Sequence, residues 1–302
     1  MRPSRGFAIG AYIFSFSVLF ILSLAVSFWF SSDWYYGTNM HIVQTVYQWL
    51  AFGVLTLAYY QKRPFMQPCL RLNPIKPLTC ILIVVAAMVG VFVLDWLSAY
   101  WLSFLSHMGI PLPLQSESLT NDAPHWLMLF ISIALVPAVF EELLFRGLIL
   151  PAFEQSSRRA AIFVSALLFS LLHNNIISFP VHTILGSVLA SLVLYTGSLY
   201  ASIVYHAVHN GTILIVNLIS TQGVVQKEAA DVSIASGAEM LSLLPTLLFF
   251  FILWRTLLRY TYVNGSFDDV SQLPPAVQSK SPILVKILLT LIFCFMFWLL
   301  LS

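Results

Sequence analysis

Charge is what this chain has least of. Of its 302 residues only 9% are Asp, Glu, Lys or Arg, while 59% are hydrophobic. Soluble domains carry about 25% charged residues, so a soluble globular fold is excluded. A net charge of +2 is too small to hold nucleic acid. Cysteine is also scarce: Cys69, Cys80 and Cys294 make no pairing pattern and no Cys-x-x-Cys metal spacing. A Gly-x-Ser-x-Gly elbow, a His-Glu-x-x-His zinc helix and a phosphate-cradling glycine loop are absent as well. Their absence removes the commonest serine-hydrolase, zincin and nucleotide sites. There is no apparent internal repeat.

What the chain has instead is long apolar runs. About 20 apolar residues cross a bilayer as a helix. Nine stretches qualify: 7–30, 41–60, 77–105, 126–150, 159–179, 181–199, 202–220, 238–258 and 283–301. The expected fold is therefore all-α, a polytopic transmembrane helical bundle of about nine spans forming a single membrane domain over 1–302. The basic start, Arg2 and Arg5, precedes a run longer than the about 7–15 residues of a signal h-region, and reads as an uncleaved first span. With the N-terminus cytoplasmic, thirteen of the fourteen Lys and Arg residues fall on the cytoplasmic side and only Lys227 outside, in keeping with the positive-inside rule. The stretches 159–179 and 181–199, parted only by Pro180, predict a tight helical hairpin. Gly186 and Ala190, with Ser187 and Ser191, give the small-xxx-small spacing that lets membrane helices pack closely. The segment 259–282, with Asp268-Asp269 and Pro274-Pro275, reads as a cytoplasmic linker.

Against this apolar background, three polar clusters stand out. The first is Glu141-Glu142 followed by Arg146, in a membrane helix where one charged group costs about 2.5–3.5 kcal/mol on insertion scales. Glu142 and Arg146 are i,i+4 neighbours in the acid-first order that favours pairing. Glu141 points about 100° away around the helix and has no local partner, which suits proton transfer. Pro137 deletes the backbone donor to the Ile133 carbonyl, predicting a bend and a free carbonyl near the carboxylates. The second cluster is Phe169 and His173 on one face, followed by Asn174 and Asn175. The third is His206 and Asn210, one turn apart and able to donate toward a single point, as a developing oxyanion requires. His209 lies about 60° from His206 and is placed behind it.

Hydrolysis needs an activated water and donors for the negative oxygen. Glu141 can take the proton, His173 can orient the water, and His206 with Asn210 can hold the oxyanion. The alternative for the charged cluster is an ion-pair lock between helices.

The order Glu-Glu-x-x-x-Arg, Phe-x-x-x-His, His-x-x-x-Asn on successive apolar helices resembles the CPBP family. That family contains CAAX prenyl proteases of the Ras-converting type and bacteriocin-processing or bacteriocin-immunity relatives. The resemblance covers about residues 125–220, the expected catalytic core. It implies an intramembrane endopeptidase in which Glu141 activates water, His173 is the Phe-x-x-x-His histidine, His206 and Asn210 stabilise the oxyanion, and Glu142 and Arg146 form a structural ion pair.

A metal-free glutamate mechanism makes the better use of Asn210. Zinc is the alternative cofactor, held by Glu141, His173 and His206 with one open position. The expected partners are a membrane-associated or lipidated polypeptide and the lipid bilayer. Short loops and the lack of sorting signals point to a bacterial inner membrane. Since His206 lies early in its helix, the site is expected to face the cytoplasmic half. Asp95 could line the cavity or bond a neighbouring helix. His41, His107, His125 and His182 lie near span ends, where histidine is ordinary. Two other functions compete with proteolysis: a non-catalytic binder conferring immunity to an antimicrobial peptide, and a transporter using the same residues as a proton relay. Transport would call for inverted repeats and paired broken helices, and neither is found.

Overall fold

A computed structural model of the chain describes residues 2–29, 38–110, 123–222 and 237–264. Among these residues there is no strand. The helices are α1 (Arg5–Trp29), α2 (Thr38–Gln48 continuing through Trp49–Val54 and Leu55–Gln61), α3 (Pro77–His107), α4 (Ala123–Leu129 running on to Leu150–Phe153), α5 (Arg158–Leu172), α6 (Phe179–Thr196), α7 (Leu199–Gln222) and α8 (Gly237–Asn264). Six helical segments are long and apolar enough to cross a membrane: Arg5–Trp29, His41–Gln61, Pro77–His107, Trp126–Phe153, Phe179–Thr196 and Leu199–Asn217. The protein is an integral membrane protein.

The expected fifth span, 159–179, is shorter in the structure. Helix α5 stops at Leu172, and its 15 residues reach about 22 Å at 1.5 Å per residue. Ser157 caps its start, accepting from Ala160 N at 3.1 Å. At the other end Asn174 takes a left-handed φ of 46°, which asparagine tolerates better than most residues, and Asn175 Oδ1 accepts from Ile177 N. The polar pair expected inside a span is therefore the hairpin turn itself. Pro180 does not form the turn but occupies the first turn of α6, where its missing N–H is harmless. The expected linker 259–282 begins as helix, since α8 runs to Asn264. Its remainder and the stretch 283–301 lie outside the described residues.

One end of the bundle is tied together by the basic loops. Arg71 reaches Glu154 at 2.6 Å and Arg2 reaches it at 3.5 Å. Gln155 donates to the Pro3 carbonyl and Arg5 to Ser156. Leu199 N donates to the Arg71 carbonyl, and Asn73 donates to that of Gly197. The junctions α4–α5 and α6–α7 therefore lie beside the N-terminus and the α2–α3 connection. Helix α6 packs along α5, and α7 along α3. The α5–α6 contact depends on Gly186, where an added Cβ would stand 2.9 Å from Ala166 Cα. Ala190, one turn on, is fully buried. Close backbone approach at small residues is how membrane helices associate without a hydrophobic drive.

Candidate active site

The geometry begins with α4. Its helical winding widens twice, at Phe130–Leu135 and at Leu143–Ile149, where the turns are π-helical. Such widened turns recur at functional sites. The first precedes Pro137, which leaves the Ile133 carbonyl without its usual donor. Asn210 of α7 supplies one, with Nδ2 3.1 Å from Ile133 O. This bond orients the carboxamide and leaves its second N–H uncommitted.

Glu142 and Arg146 are both fully buried and pair at 2.8 Å. Arg146 donates with its other terminal nitrogen to the Gly186 carbonyl at 2.9 Å. His206 Nδ1 lies 3.1 Å from the same Glu142 oxygen. A carboxylate only accepts, so the Nδ1 proton of His206 is directed at Glu142, and Nε2 faces the other way. There it stands 4.0 Å from Glu141 Oε2, beyond direct hydrogen-bond reach. That Glu141 oxygen is buried with no hydrogen-bond partner. Of two adjacent glutamates, one is locked and one is free.

Phe169 organises the aromatic side of the site. The Arg146 guanidinium carbon sits 4.6 Å from its ring centroid, a cation–π contact. His173 and His206 meet the ring edge-on at 4.9 and 5.9 Å. His173 Nδ1 donates to the Phe169 carbonyl at 2.8 Å, which leaves Nε2 as the nitrogen able to accept from water. The Phe-x-x-x-His spacing thus serves two purposes: the backbone of Phe169 fixes the imidazole, and its ring packs over the arginine.

Glu141, His173, His206, Asn210 and Phe169 line one cavity of about 200 Å³. At about 30 Å³ per water, this is room for several waters or for a peptide group. His209 is buried but lies off the cavity, against Tyr205 and the Ala87 backbone. Asp95 is exposed on α3 and forms no part of the cavity wall, because its face of α3 turns outward. His41 is buried, His107 bonds the Ser103 carbonyl, and the side chain of His125 lies outside the described residues.

The cavity lining also includes residues that the sequence does not mark, His182, Gln44 and Gln48 among them. His182 stacks on His173 with centroids 3.8 Å apart. The tight hairpin sets the first turn of α6 against the last turn of α5. Gln44 and Gln48 of α2 also face the cavity. They are i,i+4 amides in an otherwise apolar span, a pairing that marks one helix face.

The three residues of the zinc alternative, Glu141, His173 and His206, line this same cavity. Among the described residues no three His, Cys, Asp or Glu side chains are grouped to hold a metal ion.

No curated protein and no solved structure matches the chain. The segment that carries all three motifs and most of the cavity wall, residues 123–212, matches the family model of the type II CAAX prenyl endopeptidase Rce1-like proteins.

Proposed function

We propose that the protein is an intramembrane endopeptidase that hydrolyses a peptide bond of a membrane-associated or lipidated polypeptide. The observation that carries this reading is the convergence of Glu141, His173, His206 and Asn210, from three helices, on one cavity. Residues so far apart in the chain meet at a polar pocket in an apolar bundle, where uncompensated polar groups are costly.

A water between Glu141 and His173 gives its proton to the free Glu141 carboxylate while its oxygen attacks the substrate carbonyl. His173 Nε2 accepts the water's other hydrogen bond and sets its direction. The carbonyl electrons move onto oxygen, which is held by the second N–H of Asn210 and faced by Nε2 of His206. Collapse of the tetrahedral species breaks the C–N bond, and the proton on Glu141 goes to the departing amine. Placed donors of this kind contribute about 10²–10³ in rate each, and the general base about 10²–10⁴. Glu142 and Arg146 hold the scaffold and orient His206 without touching substrate. No step uses a metal.

The membrane arrangement that fits the charge distribution is nine crossings with a cytoplasmic N-terminus, because thirteen of the fourteen Lys and Arg residues then fall on the cytoplasmic side; the short loops and lack of sorting signals favour a bacterial inner membrane. The whole chain acts as one membrane domain, with its catalytic core at about 125–220.

The test is to replace Glu141→Ala and, separately, His173→Ala, and to measure cleavage and membrane level. Both variants should insert normally and lose activity by about 10²-fold or more. Full function in both would remove the hydrolytic reading and favour a non-catalytic binder, such as one conferring immunity to an antimicrobial peptide.

A further inference from the structure

The cavity has a closed floor and an open rim, and the two lie at different ends of the bundle. The floor is formed by Glu141, Phe169, Leu185 and His206, all buried. Below it, toward the basic loops, Leu144, Phe145, Arg146, Leu148, Ile149, Leu150 and Ala152 of α4 have no exposure at all. The rim carries the more exposed residues Gln44, Ile133, His173, His182 and Asn210. His173 and His182 flank the 173–178 turn, which Trp101 of α3 holds by donating to the Ile176 carbonyl at 2.9 Å. Trp101 lies 24 residues into α3, about 36 Å from Pro77 at 1.5 Å per residue. Pro77 is beside the basic loops, so the rim approaches the far surface of the bundle. Gln44 agrees, about 26 Å along α2 from Gln61 on the same measure.

Basic loops lie in the cytoplasm under the positive-inside rule. Building on the proteolytic reading above, we infer that the cavity is loaded from the face opposite the basic loops, and that its substrate is a polypeptide segment presented on the non-cytoplasmic side of the membrane. The early position of His206 in α7 marks the floor of the site and not its mouth. The chemistry of the rim selects the class of substrate. It has no Lys or Arg to hold an anionic headgroup. It has the uncharged amides of Gln44, Gln48 and Asn210, each able to donate and accept as a peptide group does. Gln48 Oε1 is buried and without a hydrogen-bond partner, a vacancy that a backbone N–H of an extended substrate would fill.

Accessibility tests this independently of catalysis. In a full-length background carrying Cys69→Ser, Cys80→Ser and Cys294→Ser, single changes Gln44→Cys, Ile176→Cys and Gln61→Cys are exposed to a membrane-impermeant maleimide in intact cells and in inverted vesicles. Gln44→Cys and Ile176→Cys should label in intact cells, and Gln61→Cys only in inverted vesicles. Failure of Gln44→Cys to label from outside, whether or not it labels from inside, overturns the inference and leaves the protease reading intact. Labelling from outside together with full function in the Glu141→Ala variant would sink the protease reading and keep the access route.

Discussion

The two halves of α4 have similar apolar composition and opposite fates. From Leu144 to Ala152 most residues, including an arginine, have no exposure, whereas Leu127, Phe130, Ile131, Ile133, Leu135 and Val139 are 36 to 64% exposed. The glutamates sit at the boundary. Glu142 belongs to the packed half, tied to Arg146 and His206, and Glu141 belongs to the open half, facing the cavity. A shift of one residue along a helix separates a structural carboxylate from a chemical one, because about 100° of rotation moves the side chain from a filled environment to an empty one.

The sharpest way to break that contrast is to attack the packed half. Removing one member of a buried ion pair leaves an uncompensated charge and costs about 3–5 kcal/mol. Glu142→Ala or Arg146→Ala should therefore sharply lower the amount of folded protein in the membrane, measured by quantitative blotting and by thermal unfolding in detergent. Replacing both together with Met should restore much of the level, since two apolar groups leave no orphaned charge. Activity should stay low in that double variant, because His206 loses the carboxylate that directs its Nδ1. A double variant as scarce as the single ones would show that the pair is needed for more than mutual compensation.

A smaller effect is expected where the packed half meets its neighbours. At Gly186 an alanine Cβ would press on Ala166 Cα and Cβ at 2.9 and 3.1 Å. Since the obstacle is backbone, helices α5 and α6 must part. Overpacking of this kind costs about 1–3 kcal/mol. The Gly186 carbonyl that Arg146 uses would move with it. Gly186→Ala should thus lower the unfolding temperature by less than Arg146→Ala does. Unchanged stability would mean that the close approach is not a constraint.

Much of this was legible in the sequence, for identifiable reasons. Apolar runs are long enough to mark spans, and a carboxylate in such a run is costly enough to require a partner. The Glu142–Arg146 pair follows from helical spacing alone, and it survives even though the intervening turn is π-helical, because a long arginine side chain absorbs the change. The convergence of Glu141, His173, His206 and Asn210 could be expected from their chemistry, but their contact depends on tertiary packing. The end of α5 is not legible in the sequence because Ile176 and Ile177 extend the apolar run past Asn174-Asn175, although the turn is made by asparagine conformation. His182 carries no signal in the sequence because histidine at a span end is ordinary; only the hairpin geometry stacks it on His173. Gln44 and Gln48 were invisible for a related reason, since an amide in a membrane helix becomes informative only when its face is known.

The subtlest effect belongs to Pro137, which links the open half of α4 to Asn210. The missing N–H of Pro137 leaves the Ile133 carbonyl to be satisfied by Asn210 at 3.1 Å, and that bond aims the remaining N–H of the amide into the cavity. Pro137→Ala returns a backbone donor to the carbonyl, which then competes with Asn210 for it. The helix itself should not suffer, since alanine is the best helix former and proline the worst. The variant should therefore insert at normal or raised levels, with activity reduced several-fold, well short of the loss in Glu141→Ala. The fall should appear in kcat more than in KM, because an oxyanion donor acts on the transition state and not on the bound substrate. A Pro137→Ala protein with unchanged kcat would mean that Asn210 is positioned by something other than the carbonyl that proline frees, and the contrast between the halves of α4 would lose its chemical consequence.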